Sequence, residues 1–285
     1  MTPADKVAAA EVRRRFASEV SRPGVEVDLA RAALLVGAEE EPRHADVNRC
    51  LARLDEMGEE ARARAVRRGG PRVEALNAYL FEELGFNGNE SDYYDPRNSM
   101  LHQVLTRRTG IPITLSVVYI EVGRRAGLRV EGLGLPGHFI VRAFENDEDV
   151  EGVLVDPFNR RVTDAEECQS RMDAIYDGRL ELSEEHYRPV GARSILARML
   201  GNLKAVYVRA GLFRSALSAV ERLLLLAPSD LDERRDRGML LAQLDRLHEA
   251  VADTQTYLNL SPNAPDADAV REQLKKMQAR QAMLN

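Results

Sequence analysis

Apolar positions recur at helical spacing through the first 68 residues. Thr2-Pro3-Ala4-Asp5 predicts a helix start with Pro near the first turn, and Phe16 and Val20 share a face four residues apart. Pro23-Gly24 predicts a break. Asp28 predicts the cap of a helix to about Val36, with Leu29, Ala32, Ala33 and Val36 inward. Asp46 predicts a further cap, with Val47, Cys50, Leu51 and Leu54 on one face. After Gly69-Gly70-Pro71, the spacing of Leu76, Leu80 and Leu84 predicts a helix that Gly85 ends. Residues 86–98 are polar and predict an irregular loop, with a short helix from Asn98 to Leu105.

Residues 108–159 organise the chain. Pro112 opens a helix with Ile113, Val117 and Ile120 on one side, widened by Leu115, Val118 and Val122. Gly127 follows its end. Short apolar runs at 128–133, 139–144 and 153–155 predict strands. The last two are joined by the acidic run Glu145-Asn146-Asp147-Glu148-Asp149, which no core would hold. Folding the chain about Asp147 places His138 opposite Asp156 and Ile140 opposite Leu154. Opposed Cβ atoms lie about 4.5–5.5 Å apart, so all four side chains share one face. A carboxylate beside an imidazole fixes its tautomer and stabilises its charged form. Gly132, Gly134 and Gly137 match a dinucleotide-loop spacing, but a strand follows them rather than a helix. They predict a tight turn presenting His138.

Downstream, Thr163 with Glu166 predicts a capping box for a helix that holds Cys168 and ends at Asp177-Gly178. Ala227-Pro228 and Ser261-Pro262 then recur at a 34-residue interval. Ala216 aligns with Ala250, and Leu226 with Leu260. That period is a helix-pair repeat, in which small residues let antiparallel helices approach. The second copy carries Arg237 and Thr254 at normally apolar positions. Residues 270–284 predict a terminal capping helix.

The order helix, strand, His-strand, Asp-strand resembles the papain-like transglutaminase core, in which a Cys at the helix N-terminus completes a triad with the His and Asp. More narrowly, F-E-E-L-G-F-N-G-N (81–89), D-Y-Y-D-P-R-N-S (92–99), G-I-P-I-T-L-S (110–116), G-L-P-G-H-F (134–139) and V-D-P-F-N (155–159) resemble the bacterial SirB-type family. That family joins a transglutaminase-like domain to tetratricopeptide repeats. The resemblance implies an α+β, mostly helical fold with a transglutaminase-like (papain-like) core and a small antiparallel sheet, followed by C-terminal helical repeats. The division expected is a helical region over 1–70, the core over 71–180 and the repeats over 190–285. The resemblance also places the loop carrying Asp95, Arg97 and Asn98 beside a groove at His138, with Gly137 and Asn159.

The chain departs from the enzymes at one point. No Cys lies in residues 100–160, and Thr114 and Ser116 are the nearest hydroxyls to the expected nucleophile position. A thiolate is a strong nucleophile near neutral pH, whereas Ser or Thr needs an aligned base. Two functional readings stay open, beside a purely structural role in which the His138–Asp156 pair holds the hairpin together. One is a non-catalytic interaction or regulatory protein with a degenerate triad. The other is an acyl-transfer enzyme or amide hydrolase using Thr114 or Ser116, with His138 as base and Asp156 as its orienter. First-turn hydroxyls are more often helix caps than nucleophiles.

Composition narrows the classes further. A net charge of −6 leaves no electrostatic footprint for nucleic acid. No apolar run is long enough to span a membrane, and Lys6, Arg13, Arg14 and Arg15 interrupt the N-terminal alanines, so a cytoplasmic location is expected. The two cysteines, Cys50 and Cys168, make neither a disulfide framework nor a zinc site. Asp92, Asp95, Asn98 and His102 carry metal-binding atoms, yet loops rich in Asp and Asn make their own turns. No cofactor and no metal is expected. The repeats predict a protein or peptide partner.

Overall fold

The computed structural model describes residues 2–22, 24 and 26–284. It divides into two compact units, residues 1–199 and 200–285.

The first unit opens with helices α1 (Pro3–Val20), α2 (Leu29–Glu40) and α3 (Val47–Arg68). Each begins where a short polar side chain meets a free backbone N–H. Thr2 and Asp5 cap α1 reciprocally. Asp28 accepts from Arg31 N at 2.9 Å and Asp46 from Arg49 N at 3.0 Å. The break expected at Pro23-Gly24 falls at the end of α1, although Pro23 itself lies outside the described residues. Helix α2 is buried along nearly its whole length, from Leu29 to Glu39.

The helix expected from Leu76, Leu80 and Leu84 is two structures. Helix α4 (Arg72–Asn77) passes into a π-helical turn over Ala78–Glu83. The wider turn buries Tyr79, Leu80 and Phe81 in succession and leaves Leu84 half-buried. Pro71 offers α4 no side-chain cap; the Glu145 carboxylate accepts from Arg72 N at 2.6 Å and Val73 N at 3.0 Å instead. A short parallel pairing follows between β1 (Asn87–Gly88) and β2 (Thr109–Gly110). Between them lie a 3-10 turn (Pro96–Ser99) and α5 (Leu101–Arg107).

Helix α6 (Pro112–Arg125) is the centre of the unit. Every residue from Pro112 to Gly123 is buried, polar ones included. It packs against α3 on one side and on the other against β3 (Arg129–Leu133) and β4 (Ile140–Phe144). The Tyr119 hydroxyl, deep in this core, donates to Asn77 Oδ1 at 2.7 Å. The sheet continues through β5 (Val153–Asp156) and β6 (Arg161–Val162), then α7 (Ala165–Tyr176) and β7 (Pro189–Val190). Its strand order is β6-β5-β4-β3-β7, antiparallel throughout.

Two local expectations need correction. Strand β4 pairs Arg142, not Ile140, with Leu154. The loop between β4 and β5 is centred one residue later than Asp147, because its side chains wind it. Asn146 accepts from the amides of Glu148 and Asp149, and Asp149 from those of Glu145, Glu151 and Gly152. Moving the fold point by one shifts each partner by two, which keeps every side chain on its expected face. The second correction is the cap of α7. Asp164, not Thr163, accepts from Glu167 N, at 2.8 Å; Thr163 instead donates to the Glu167 carboxylate.

Helix α8 (Ala192–Arg209) crosses the division between the units. The second unit continues with α9 (Phe213–Leu226), α10 (Leu231–Gln243), α11 (Leu247–Leu260) and α12 (Ala267–Leu284), each packed on the next. Ala216 and Ala250 are fully buried. Gly238 lies where a Cβ would stand 2.7 Å from Thr254 Oγ1. The two polar departures of the second repeat are both satisfied. Arg237 pairs with Asp253 through two bonds of 2.6 and 2.7 Å, and Thr254 donates to the Ala250 carbonyl at 2.8 Å. No helix among the described residues is long and apolar enough to cross a membrane.

Candidate functional site

His138 ends a tight turn. Its N–H donates to the Leu135 carbonyl at 3.2 Å, with Pro136 and Gly137 between them. Gly137 has φ +67°, the left-handed value that the third residue of a type II turn requires. Arg198, 60 residues away, braces the turn from α8. One guanidinium nitrogen donates to the carbonyls of Leu135 at 2.8 Å and His138 at 2.6 Å.

The turn puts His138 Nε2 2.8 Å from Asp156 Oδ2. Both residues are 4 % exposed. Asp156 is crowded with donors. Its Oδ1 accepts from the amides of Phe158 and Asn159, its Oδ2 from the Asn159 side chain at 2.6 Å, and Arg171 of α7 stands 3.6 Å away. Burial pushes this carboxyl upward, but the bonds from His138 and Asn159 outweigh it and hold the group below its ordinary value. The other ring nitrogen, Nδ1, makes no hydrogen bond among the described residues.

The two candidate nucleophiles are elsewhere engaged. Thr114 is fully buried; its Oγ1 donates to the Asn98 carbonyl at 2.6 Å and accepts from Ile111 N at 3.2 Å. Ser116, also fully buried, has its Oγ 3.4 Å from the Phe139 carbonyl. Cys168 of α7 packs with Leu133, Leu135 and Ile140. Burial pushes this thiol up, and Asp156 and Asp164 add to the effect, so the thiolate is disfavoured.

The 89–99 loop turns inward. Asn98 is fully buried. Its amide donates to the carbonyls of Asp92 and Tyr93, and its oxygen accepts from Asn89 and Arg107. Asp95 is buried between Arg97 and Arg107. These two groove candidates therefore brace the loop; Arg97 is half exposed, Gly137 is exposed at the turn, and Asn159 serves Asp156. His102 points away to Glu41, 2.9 Å from its Nε2, so Asp92, Asp95, Asn98 and His102 do not converge. What the loop does bring to His138 is aromatic. Tyr93 meets Phe158 edge-on at 6.2 Å, and Phe158 meets the His138 ring edge-on at 6.4 Å. Gly88 makes room for that stack, since a Cβ there would lie 2.6 Å from the Phe158 ring.

Residues 48–201 match the transglutaminase-like superfamily, and residues 203–275 match the tetratricopeptide repeat. A UPF0162 protein of Xylella fastidiosa (strain Temecula1 / ATCC 700964) is 41 % identical over 208 residues, 71 % of this chain and 73 % of its own length. The chain belongs to the SirB-type transglutaminase-like family. Protein SirB1 of Salmonella typhimurium is 26 % identical over 215 residues, 75 % of this chain and 78 % of that one. F-box only protein 21 of Mus musculus is 35 % identical over 152 residues, 50 % of this chain and 23 % of that protein. In this SirB-type chain, Arg198, Arg171 and Phe158 are the site's unforeseen members. Only Phe158 had a local signal, its place in the V-D-P-F-N motif.

Proposed function

We propose that this protein is a non-catalytic interaction or regulatory protein, in which the transglutaminase-like core is a scaffold with a retired triad and the repeats hold a protein or peptide partner. One observation carries the reading: both hydroxyls that could replace the missing Cys are fully buried and bound to backbone carbonyls. Nucleophilic attack needs the hydroxyl on its base, and the base here has its free nitrogen unengaged. The competing acyl-transfer reading draws support from the intact His138–Asp156 bond alone. A buried imidazole–carboxylate pair serves equally well to hold a turn against a strand. Tetratricopeptide helices stack into surfaces that bind peptides, which favours the second unit as the recognition element. Two cysteines without a framework and no membrane-spanning helix among the described residues support a cytoplasmic location.

The test is turnover. The intact chain is incubated with activated esters and with a glutamine-peptide acyl donor, beside a His138→Ala variant. The reading expects identical background rates. Turnover by the native chain that His138→Ala abolishes would overturn it.

A further inference from the structure

A groove lies away from His138, between α3 and α5. It has a volume of about 640 Å³, within the range of small-molecule sites. Cys50 and Leu105 contribute apolar surface to its floor, and both are half-buried. His102 stiffens that floor. Its Nε2 is held by Glu41, which also accepts from Gln103 at 2.6 Å, and its buried Nδ1 rests without a partner against Gly37, where no Cβ intrudes.

The charges of the wall are unevenly committed. Asp46 is spent on capping α3, and Glu56 is paired with Arg53 at 3.2 Å. The Arg49 guanidinium and the His44 ring, both exposed at the groove, make no hydrogen bond or ion pair among the described residues. Each carboxylate therefore has a partner, while the guanidinium has none and the His44 ring, within electrostatic reach of Glu41, makes no hydrogen bond among the described residues.

We propose that this groove binds a small amphipathic anion, with its apolar body on the Cys50–Leu105 floor and its carboxylate, sulfonate or phosphate against Arg49 and His44. The chemistry follows from what is vacant. A cationic ligand would meet Glu56 already paired with Arg53 and Asp46 engaged at the start of α3, and a neutral apolar one would leave the guanidinium without a counter-charge. Arg suits such an anion because its planar fork presents two parallel donors. The proposal does not depend on the state of the His138 site.

Anilinonaphthalene sulfonate is a direct probe, because it combines an apolar body with one anionic group and fluoresces when desolvated. Titrated into the intact chain, it is expected to bind saturably at one site. Arg49→Ala, at an exposed position, is expected to weaken binding about tenfold, the scale of one charge-assisted hydrogen bond. The bound dye is also expected to slow iodoacetamide alkylation of Cys50, read by peptide mass spectrometry that separates it from buried Cys168. Equal dye affinity in Arg49→Ala, or Cys50 alkylated at the same rate with and without dye, would overturn the proposal. So would the absence of saturable binding.

Discussion

Thr114 Oγ1 donates to the carbonyl of Asn98 at 2.6 Å, tying the first turn of α6 to the loop that precedes α5. The same oxygen accepts from Ile111 N, so one hydroxyl satisfies a buried acceptor and a buried donor. A group in that position has no freedom to turn toward His138. It also explains why a threonine fits inside this buried helix.

The first prediction follows from that bond. Thr114→Val keeps the shape and removes the hydroxyl, leaving both backbone groups unpaired. Leaving such groups unsatisfied costs about 1–3 kcal/mol. Urea denaturation is expected to show a loss of that size for Thr114→Val and a smaller one for Thr114→Ser. A stable Thr114→Val would mean that the Asn98 carbonyl and Ile111 N–H find other partners.

Asp156 predicts an acid-sensitive step. Its carboxyl is held below the ordinary value of 3.8, with burial opposed and outweighed by the bonds from His138 and Asn159. The unfolded state therefore binds the proton more readily, and stability rises with pH across that interval. The contribution is complete above the unfolded value and disappears as pH falls through the lower folded one. Asp156→Asn is expected to destabilise at neutral pH by about 1–3 kcal/mol, the cost of leaving buried donors poorly satisfied. The difference from the native chain should shrink as the pH approaches and passes below the unfolded value. A difference independent of pH would show that geometry, not charge, sets the cost.

Local chemistry made much of the fold legible. The caps at Thr2, Asp28 and Asp46 act within three residues, so the chain itself announces them. The shared face of His138 and Asp156 survived a wrong hairpin register because the shift was even. Long-range bonds left no such trace. Nothing in a polar loop says that Asn98 will be sealed, or that Arg198 will reach back to the Leu135 and His138 carbonyls. The π-turn was hidden for another reason: Leu76 and Leu80 fit a 3.6-residue period, while the burial of Tyr79 and Phe81 needs a wider one.

Two glycines near His138 separate backbone strain from crowding. Gly137→Ala meets open space beyond Tyr176 and Ile175, both at least 3.4 Å away, so its cost is that of a left-handed alanine, about 1 kcal/mol. Gly88→Ala has no positive φ but drives a methyl into the Phe158 ring, and overpacking of this kind costs about 1–3 kcal/mol. Thermal denaturation should rank Gly88→Ala as the more destabilised of the two. Gly88→Ala should also shift the His138 ring resonances through Phe158, whose ring meets the imidazole edge-on.

In the repeats, Arg237 stands at a normally apolar position and pairs with Asp253. Asp253 is 6 % exposed, and two short bonds from Arg237 satisfy it. Arg237→Leu alone strands a buried carboxylate and is expected to cost about 1–3 kcal/mol. Arg237→Leu combined with Asp253→Leu removes the stranded charge and restores the apolar character of the position. Replacing both members of a buried ion pair with packed hydrophobic residues is often neutral or stabilising. The double variant is therefore expected to recover most of the loss, measured as a coupling energy across the four-member cycle in urea. If instead the two losses add, the pair makes no joint contribution, and the arginine is retained for contacts other than Asp253.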